Sequence, residues 1–248
     1  MHSLEVAPQT KKGVLAAYYG YDHFRPGQEA IIDAILSGRD AMAIMPTSAG
    51  KSLCFQVPAL LLPGVTLVIS PLISLMQDQV SSLEAMGIPA VLINSGQSLE
   101  ENRQAVTALR SGRVKLAYIA PERLSNDYFL NLVSQLEVSL VAVDEAHCIS
   151  QWGNDFRPSY QAIPHLLDYL DKRPIMAAFT ATATQQVRQD IVHYLGLQKP
   201  FEMVTGFDRP NLFFALEEPS DKMRRLKELL ASGEPSIVYC ATRKDVES

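Results

Sequence analysis

Recurrent short apolar runs constrain this chain more than any other feature: AMAIM at 41–45, VTLVIS at 65–70, AVLIN at 90–94, KLAYI at 115–119, SLVAVD at 139–144 and IMAAF at 175–179. They are nearly continuous rather than alternating, so each has two faces to bury. A sheet covered by helices on both sides does that, and such a sheet is parallel. Helical stretches lie between the runs. GQEAIIDAILSG follows Pro26, with Ile31, Ile32, Ile35 and Leu36 on one face. SLMQDQVSSLEAMG reads as a helix capped by Ser74 and stopped at Gly87. SLEENRQAVTALRSG opens with Ser98 and Glu101, the pattern of a capping box. Strand–helix alternation of this kind predicts an α/β fold with a mainly parallel sheet flanked by helices.

The pattern resets near residue 206. GFDRPNLFFALEEPSDK (206–222) reads as a linker running into an edge strand, KMRRLKELLASG as a helix, and SIVYC (236–240) as a buried strand. One strand–helix–strand unit cannot bury its own faces. The expected organisation is a first domain over 1–206, a linker and edge strand over 207–220, and the beginning of a second, truncated domain over 221–248.

Two stretches carry chemistry. MPTSAGKS (45–52) lies between a predicted buried strand and a predicted helix, KSLCFQVPALLL. A helix N-terminus there points unpaired N–H groups at phosphates, Lys51 neutralises charge on the outer phosphates, and Ser52 offers a hydroxyl to Mg²⁺. The bland alternative is a chance G-K-S at a helix start. LVAVDEAH ends a buried strand with Asp144 and Glu145. Carboxylates at the end of an apolar run are costly unless paired or bound to a cation. In a nucleotide hydrolase the first holds Mg²⁺ and the second polarises the attacking water. The bland alternative is a solvated loop, and the two motifs together, in this order, disfavour it.

The net charge is −5, which does not indicate a strongly basic nucleic-acid binder but leaves room for a local basic groove. Cys54, Cys148 and Cys240 form no C-x-x-C pair, so a zinc site or disulfide framework is not expected and a reducing interior is. The N-terminal residues lack the apolar core of a signal peptide, and the stretch 57–62 contains Pro58 and is too short to span a bilayer. A soluble cytoplasmic protein is expected.

DEAH with MPTSAGKS, SPLISLMQDQ and FTATAT resembles a superfamily 2 helicase. YGYDHFRPGQEAII (19–32), CISQWGNDFRPSY (148–160) and FDRPNL (207–212) narrow the resemblance to the RecQ family of DNA helicases, along essentially the whole chain. The resemblance implies a RecA-like phosphate-loop NTPase domain and the start of a second. It implies ATP and Mg²⁺ as cofactors, with zinc only in a C-terminal region beyond these residues. Single-stranded and partially duplex DNA are the implied partners, with a single-strand-binding protein a further candidate, no membrane, and a cytoplasmic, nucleoid-associated location. It implies ATP-driven 3′-to-5′ movement on single-stranded DNA in repair and recombination.

Residue roles follow from the matched motifs. Gln28 is expected at the adenine edge, with Arg25 stacked on the base or near the phosphates. Thr47, Ser48, Ala49 and Gly50 are expected to offer backbone N–H groups to the β-phosphate. Met45 is ordinary for superfamily 2. The departure is Ser48, where glycine is usual; serine enters left-handed geometry at a cost near ~1 kcal/mol, so affinity is expected to be weakened or unchanged. Lys51, Asp144, Glu145 and His147 form the catalytic set, His147 relaying the nucleotide state toward DNA. Thr180 and Thr182 link the acidic site to the cleft between domains. Trp152, Phe156 and Arg157 lie on an aromatic-rich loop suited to stacking on unpaired bases. Ser74, Gln77 and Arg123 are further nucleic-acid contacts, though each residue type suits a structural role equally. The arginine-finger segment Q-x-x-G-R-x-G-R does not occur in these residues, so poor turnover by this stretch alone is expected. Two rivals remain: an RNA helicase of D-E-A-H type, and a non-catalytic nucleic-acid-binding scaffold with a relic ATP site.

Overall fold

The computed structural model describes residues 8–46, 49–153, 155–206, 212–213 and 215–242. The chain divides between residues 207 and 208 into two compact units.

The first unit contains a sheet of seven strands, all parallel: β1 (Ala41–Ile44), β2 (Val65–Ile69), β3 (Ala90–Ile93), β4 (Leu116–Ile119), β5 (Val138–Val143), β6 (Ile175–Thr180) and β7 (Phe201–Val204), in the order β3-β4-β2-β5-β6-β1-β7. The apolar runs become strands for the reason their pattern gives. In β5, Leu140 and Ala142 enter the core layer on one face and Val141 and Val143 the layer on the other. On the first face lie α1 (Lys11–Tyr19), α2 (Gln28–Leu36), α3 (Leu53–Leu61) and α4 (Ile73–Ala85). On the second lie α5 (Leu99–Arg110), α6 (Asp127–Val133), α7 (Ile163–Leu167) and α8 (Gln185–Tyr194).

The N-terminal edge of the sheet is pinned by Asp40, 3% exposed. Its carboxylate accepts from both Arg173 Nη atoms (3.1 and 2.6 Å), from Met176 N (2.9 Å) and from Gln198 N (2.7 Å), joining the approaches to β1, β6 and β7. The opposite edge, where the strands end, carries the sequence motifs singled out above, the edge where open parallel sheets favour ligands.

Local signals were met unevenly. Ser98 caps α5 in a full capping box with Glu101. Ser74 does not cap α4; the helix starts one residue earlier, at Ile73, with Leu72 as an uncapped N-cap. Strand β7 carries little of the apolar signal because it is an edge strand paired only to β1, half of its positions exposed. In the second unit, α9 (Lys222–Leu230) forms over the expected helix, capped by Asp221. The strand expected at 236–240 does not form, and those residues are exposed. Nor is there strand among the described residues of 207–220. A strand needs a neighbour for its N–H and C=O groups, and no other strand occurs among the described residues of this unit.

Candidate nucleotide and nucleic-acid site

The adjacent strands β2, β5, β6 and β1 bring the sequence motifs together at their C-terminal ends. Met45 N donates to Thr180 O (3.0 Å), tying the phosphate-loop strand to β6, and Asp144 N donates to Ile69 O (2.8 Å), tying the acidic turn to β2. Thr47 and Ser48 lie outside the described residues. Ala49 and Gly50 follow, then Lys51 and Ser52 at the start of α3. Lys51 is 7% exposed, and its Nζ donates to Met45 O at 3.3 Å. Its ammonium is thus turned back toward the end of β1.

Gly50 holds a left-handed backbone, φ 74°, and a Cβ there would lie 2.6 Å from Gln28 Nε2. The close approach reflects a direct tie. Gln28 is 1% exposed, and its Nε2 donates to Ala49 O (2.9 Å) and Gly50 O (3.0 Å) while its Oε1 accepts from Arg25 N (2.9 Å). The expected adenine-reading amide is therefore engaged with the phosphate loop in this state. Beside it is a cavity of about 310 Å³ lined by Tyr21, His23, Arg25, Gln28, Gly50 and Leu53. Tyr21 is half exposed there, whereas Phe24 packs with Val14, Ile32 and Val57 in the core.

At the end of β5, burial first, and then the charge of Glu145, push the Asp144 carboxyl up to about 6. The Glu145 N–H donates to Asp144 Oδ1 (3.0 Å) and the Lys51 charge works the other way. Glu145 itself sits at φ 46°, ψ 46°, a left-handed conformation that a non-glycine residue holds only under constraint from its surroundings. Glu145 Oε2 lies 3.3 Å from His147 Nδ1, which lies 2.8 Å from Thr180 Oγ1. Thr180 Oγ1 donates to Thr182 O (3.0 Å). The four residues thus form one chain of contacts running from the acidic turn to the end of β6.

That donor set fits a magnesium nucleotide. Uncompensated carboxylate charge faces a buried lysine at a helix start. Among the described residues, no group of three or more His, Cys, Asp or Glu could hold a metal alone. Mg²⁺ characteristically takes one or two carboxylates and completes its shell with phosphate and water, which the single buried Asp144 carboxylate would suit.

The aromatic-rich loop springs from the same turn. Gly153 abuts it so closely that a Cβ would lie 2.3 Å from His147 O. Trp152 is 75% exposed, beside a small cavity of about 50 Å³ that His147, Gly153 and Thr182 help line. Phe156 is half-buried. Arg157 is already occupied: Nε and Nη2 donate to Asp155 Oδ2 (3.0 and 2.8 Å) and Nη1 to Pro71 O (3.0 Å). Tyr160 is fully buried and donates to Asp144 O (2.8 Å), so it braces the acidic turn rather than facing outward.

Ser74 and Gln77 are exposed on the first turns of α4, and Leu72, Ile73 and Leu75 beside them are exposed too. Arg123 follows β4 in a 3-10 turn, its guanidinium 5.7 Å from the Phe129 ring centroid and its Nε buried without a hydrogen-bond partner among the described residues. Sequence reasoning missed Gln56 and Asp40, polar residues inside apolar or turn segments; nothing but their partners in space marks them.

The sequence matches the DEAD/DEAH box helicase family over residues 25–191. It is 49% identical over 241 residues to the "ATP-dependent DNA helicase RecQ" of Pasteurella multocida (strain Pm70), covering 96% of this chain and 38% of that protein. It is 48% identical over 239 residues to the protein of the same name from Bacillus subtilis (strain 168), covering 95% of this chain and 40% of that one. The chain thus spans less than half the length of these curated relatives. A solved structure of the DUF1998 helicase MrfA matches 99% of this chain and 40% of its own, with a TM-score of 0.71 at 18% identity, a likeness of fold.

Proposed function

This chain belongs to the DEAD/DEAH box helicase family and has the N-terminal motor region of the RecQ type, and on that premise we propose that it binds Mg-ATP at the ends of β1 and β5 and couples hydrolysis to movement on single-stranded DNA. The observation that carries the reading is the continuous contact chain Glu145–His147–Thr180–Thr182, with the exposed Trp152 on the loop packed against it.

Each residue has a role in this reading. Lys51 leaves its carbonyl partner to meet phosphate charge, helped by the N-terminus of α3. Asp144 with Ser52 would hold Mg²⁺, which when bound would supply charge neutralisation at the phosphates, and Glu145 would polarise the attacking water. His147 senses whether Glu145 is engaged and passes that state to Thr180 and the aromatic loop. Gln28 reads the adenine edge on releasing the loop carbonyls. Trp152 stacks on unpaired bases, and Ser74, Gln77 and Arg123 contact sugar-phosphate. Residues 221–248 begin a second motor domain. A single-strand-binding partner and a nucleoid location belong to the same reading. No described helix is long and apolar enough to cross a membrane.

The test is ATPase activity of a longer protein containing this region, with single-stranded DNA, RNA or no nucleic acid added. Stimulation by DNA beyond RNA, lost in Glu145→Gln while ATP still binds, is the expected result. Equal stimulation by RNA favours the RNA helicase reading; turnover undiminished by Glu145→Gln rejects the assigned site. These residues alone are expected to bind ATP but turn it over slowly, since an arginine finger contributes orders of magnitude to rate in such motors.

A further inference from the structure

A buried polar group stands on the face of the sheet away from the acidic turn's loop, and nothing above uses it. Gln56 lies on α3, one turn past Ser52, whose carbonyl accepts from its backbone N–H (2.9 Å). It is 5% exposed, on a helix whose Phe55 and Ala59 belong to the core cluster of that face. A leucine would serve packing there without the cost of taking an amide out of water. The amide is instead fully employed. Nε2 donates to Gln79 Oε1 (2.9 Å) and to the Tyr118 hydroxyl (3.0 Å), and Oε1 accepts from the Tyr19 hydroxyl (3.2 Å).

The partners sit on different working parts. Gln79 is on α4, whose exposed first turns carry Ser74 and Gln77. Tyr118 is on β4, three residues before the Pro121–Ser125 turn that holds Arg123, and within electrostatic reach of Asp144. Gln56 itself is on the helix that begins with the phosphate-binding lysine. One side chain therefore fastens the nucleotide helix to both elements assigned to sugar-phosphate. Inside a low-dielectric core these bonds are directional and strong, so a shift of α3 is transmitted rather than absorbed by sliding apolar contacts.

We propose that Gln56, through Gln79 and Tyr118, is a positioning residue that transmits nucleotide occupancy from α3 to α4 and β4, a route separate from the His147–Thr180 chain. The inference rests on the proposed function. In the full chain, affinity for Mg-ATP is measured with and without saturating oligothymidine, and affinity for oligothymidine with and without Mg-ATP. Their ratio is the linkage, which must be the same in both directions. In Gln56→Leu and Gln79→Leu, each separate affinity is expected to stay within about twofold while the linkage falls by about fivefold or more, and the double variant should lose no more than either single one. Thermal melts of all three establish folding; if Gln56→Leu does not fold, Gln79→Leu and Tyr118→Phe carry the same test. A merely structural amide would lower the melting temperature and leave the linkage intact. Linkage retained in the folded variants, or no linkage in the unaltered chain, overturns the inference. Failure of the unaltered chain to bind Mg-ATP counts instead against the proposed function.

Discussion

Asp144 is a carboxyl held against its ordinary behaviour, pushed up to about 6 by burial and by Glu145. A folded pKa above the unfolded one, near 4, means that the folded state favours the proton. The cost is absent below about pH 4 and grows as pH rises through 6. Asp144→Asn should therefore raise the stability of the nucleotide-free chain by roughly 1–3 kcal/mol at pH 8 and leave it unchanged at pH 4, while abolishing Mg-dependent nucleotide binding. Denaturant titrations at the two pH values check this; an equal effect at both would remove burial of charge as the cause. Gly50 offers a second test. Its φ of 74° is a left-handed backbone that a residue with a side chain holds only under strain, so Gly50→Ala is expected to weaken Mg-ATP binding at least tenfold, about 1.4 kcal/mol, by calorimetry. The places of Lys51 just before a helix and of Asp144 and Glu145 just after a buried strand were legible in the sequence, because the apolar runs that flank them mark those element ends. The engagement of Gln28 with loop carbonyls was not, because a sequence names the amide but not which acceptors it finds.

Among the elements, the aromatic-rich loop depends on Gly153. With a Cβ it would collide with His147 O at 2.3 Å, so Gly153→Ala should displace the loop, leaving Mg-ATP affinity intact and reducing DNA-stimulated turnover of the longer protein. Unchanged stimulation would show that the contact with His147 is incidental. Helix signals illustrate what local sequence resolves. Ser98 and Glu101 satisfy each other's backbone N–H groups, and that reciprocity is written in their spacing. Ser74 has a cap's residue type, yet Leu72 holds the extended N-cap backbone and the helix begins at Ile73. Ser98→Ala should cost about 1 kcal/mol and Ser74→Ala close to nothing, compared by thermal melts. The failed strand at 236–240 is the complementary case: its apolar run is genuine, but strand formation is a property of pairs.

For the first unit as a whole, the parallel sheet was legible from apolar runs with no polar face, whereas the strand order was not. Order depends on long-range anchors such as Asp40, whose four hydrogen bonds join segments 133 to 158 residues apart. Arg173 keeps 31% of its side chain exposed, but the Met176 and Gln198 N–H groups would lose their acceptor, so Asp40→Ala should destabilise the unit by about 1–3 kcal/mol without changing nucleotide specificity. The two ends of the sheet thus divide the work: the N-terminal edge fixes register, and the C-terminal edge places phosphate loop, acidic turn and aromatic loop side by side. In the proposed function this last edge joins nucleotide to single-stranded DNA, and the chain contains its own reporter. Trp152 is its sole tryptophan, so intrinsic fluorescence reads the aromatic loop alone. Titrating oligothymidine should quench that emission, and Mg-ATP should shift the midpoint in the unaltered chain but not in Lys51→Ala. Binding of the oligonucleotide, seen by anisotropy of a labelled strand, with no change in Trp152 emission would contradict the claim.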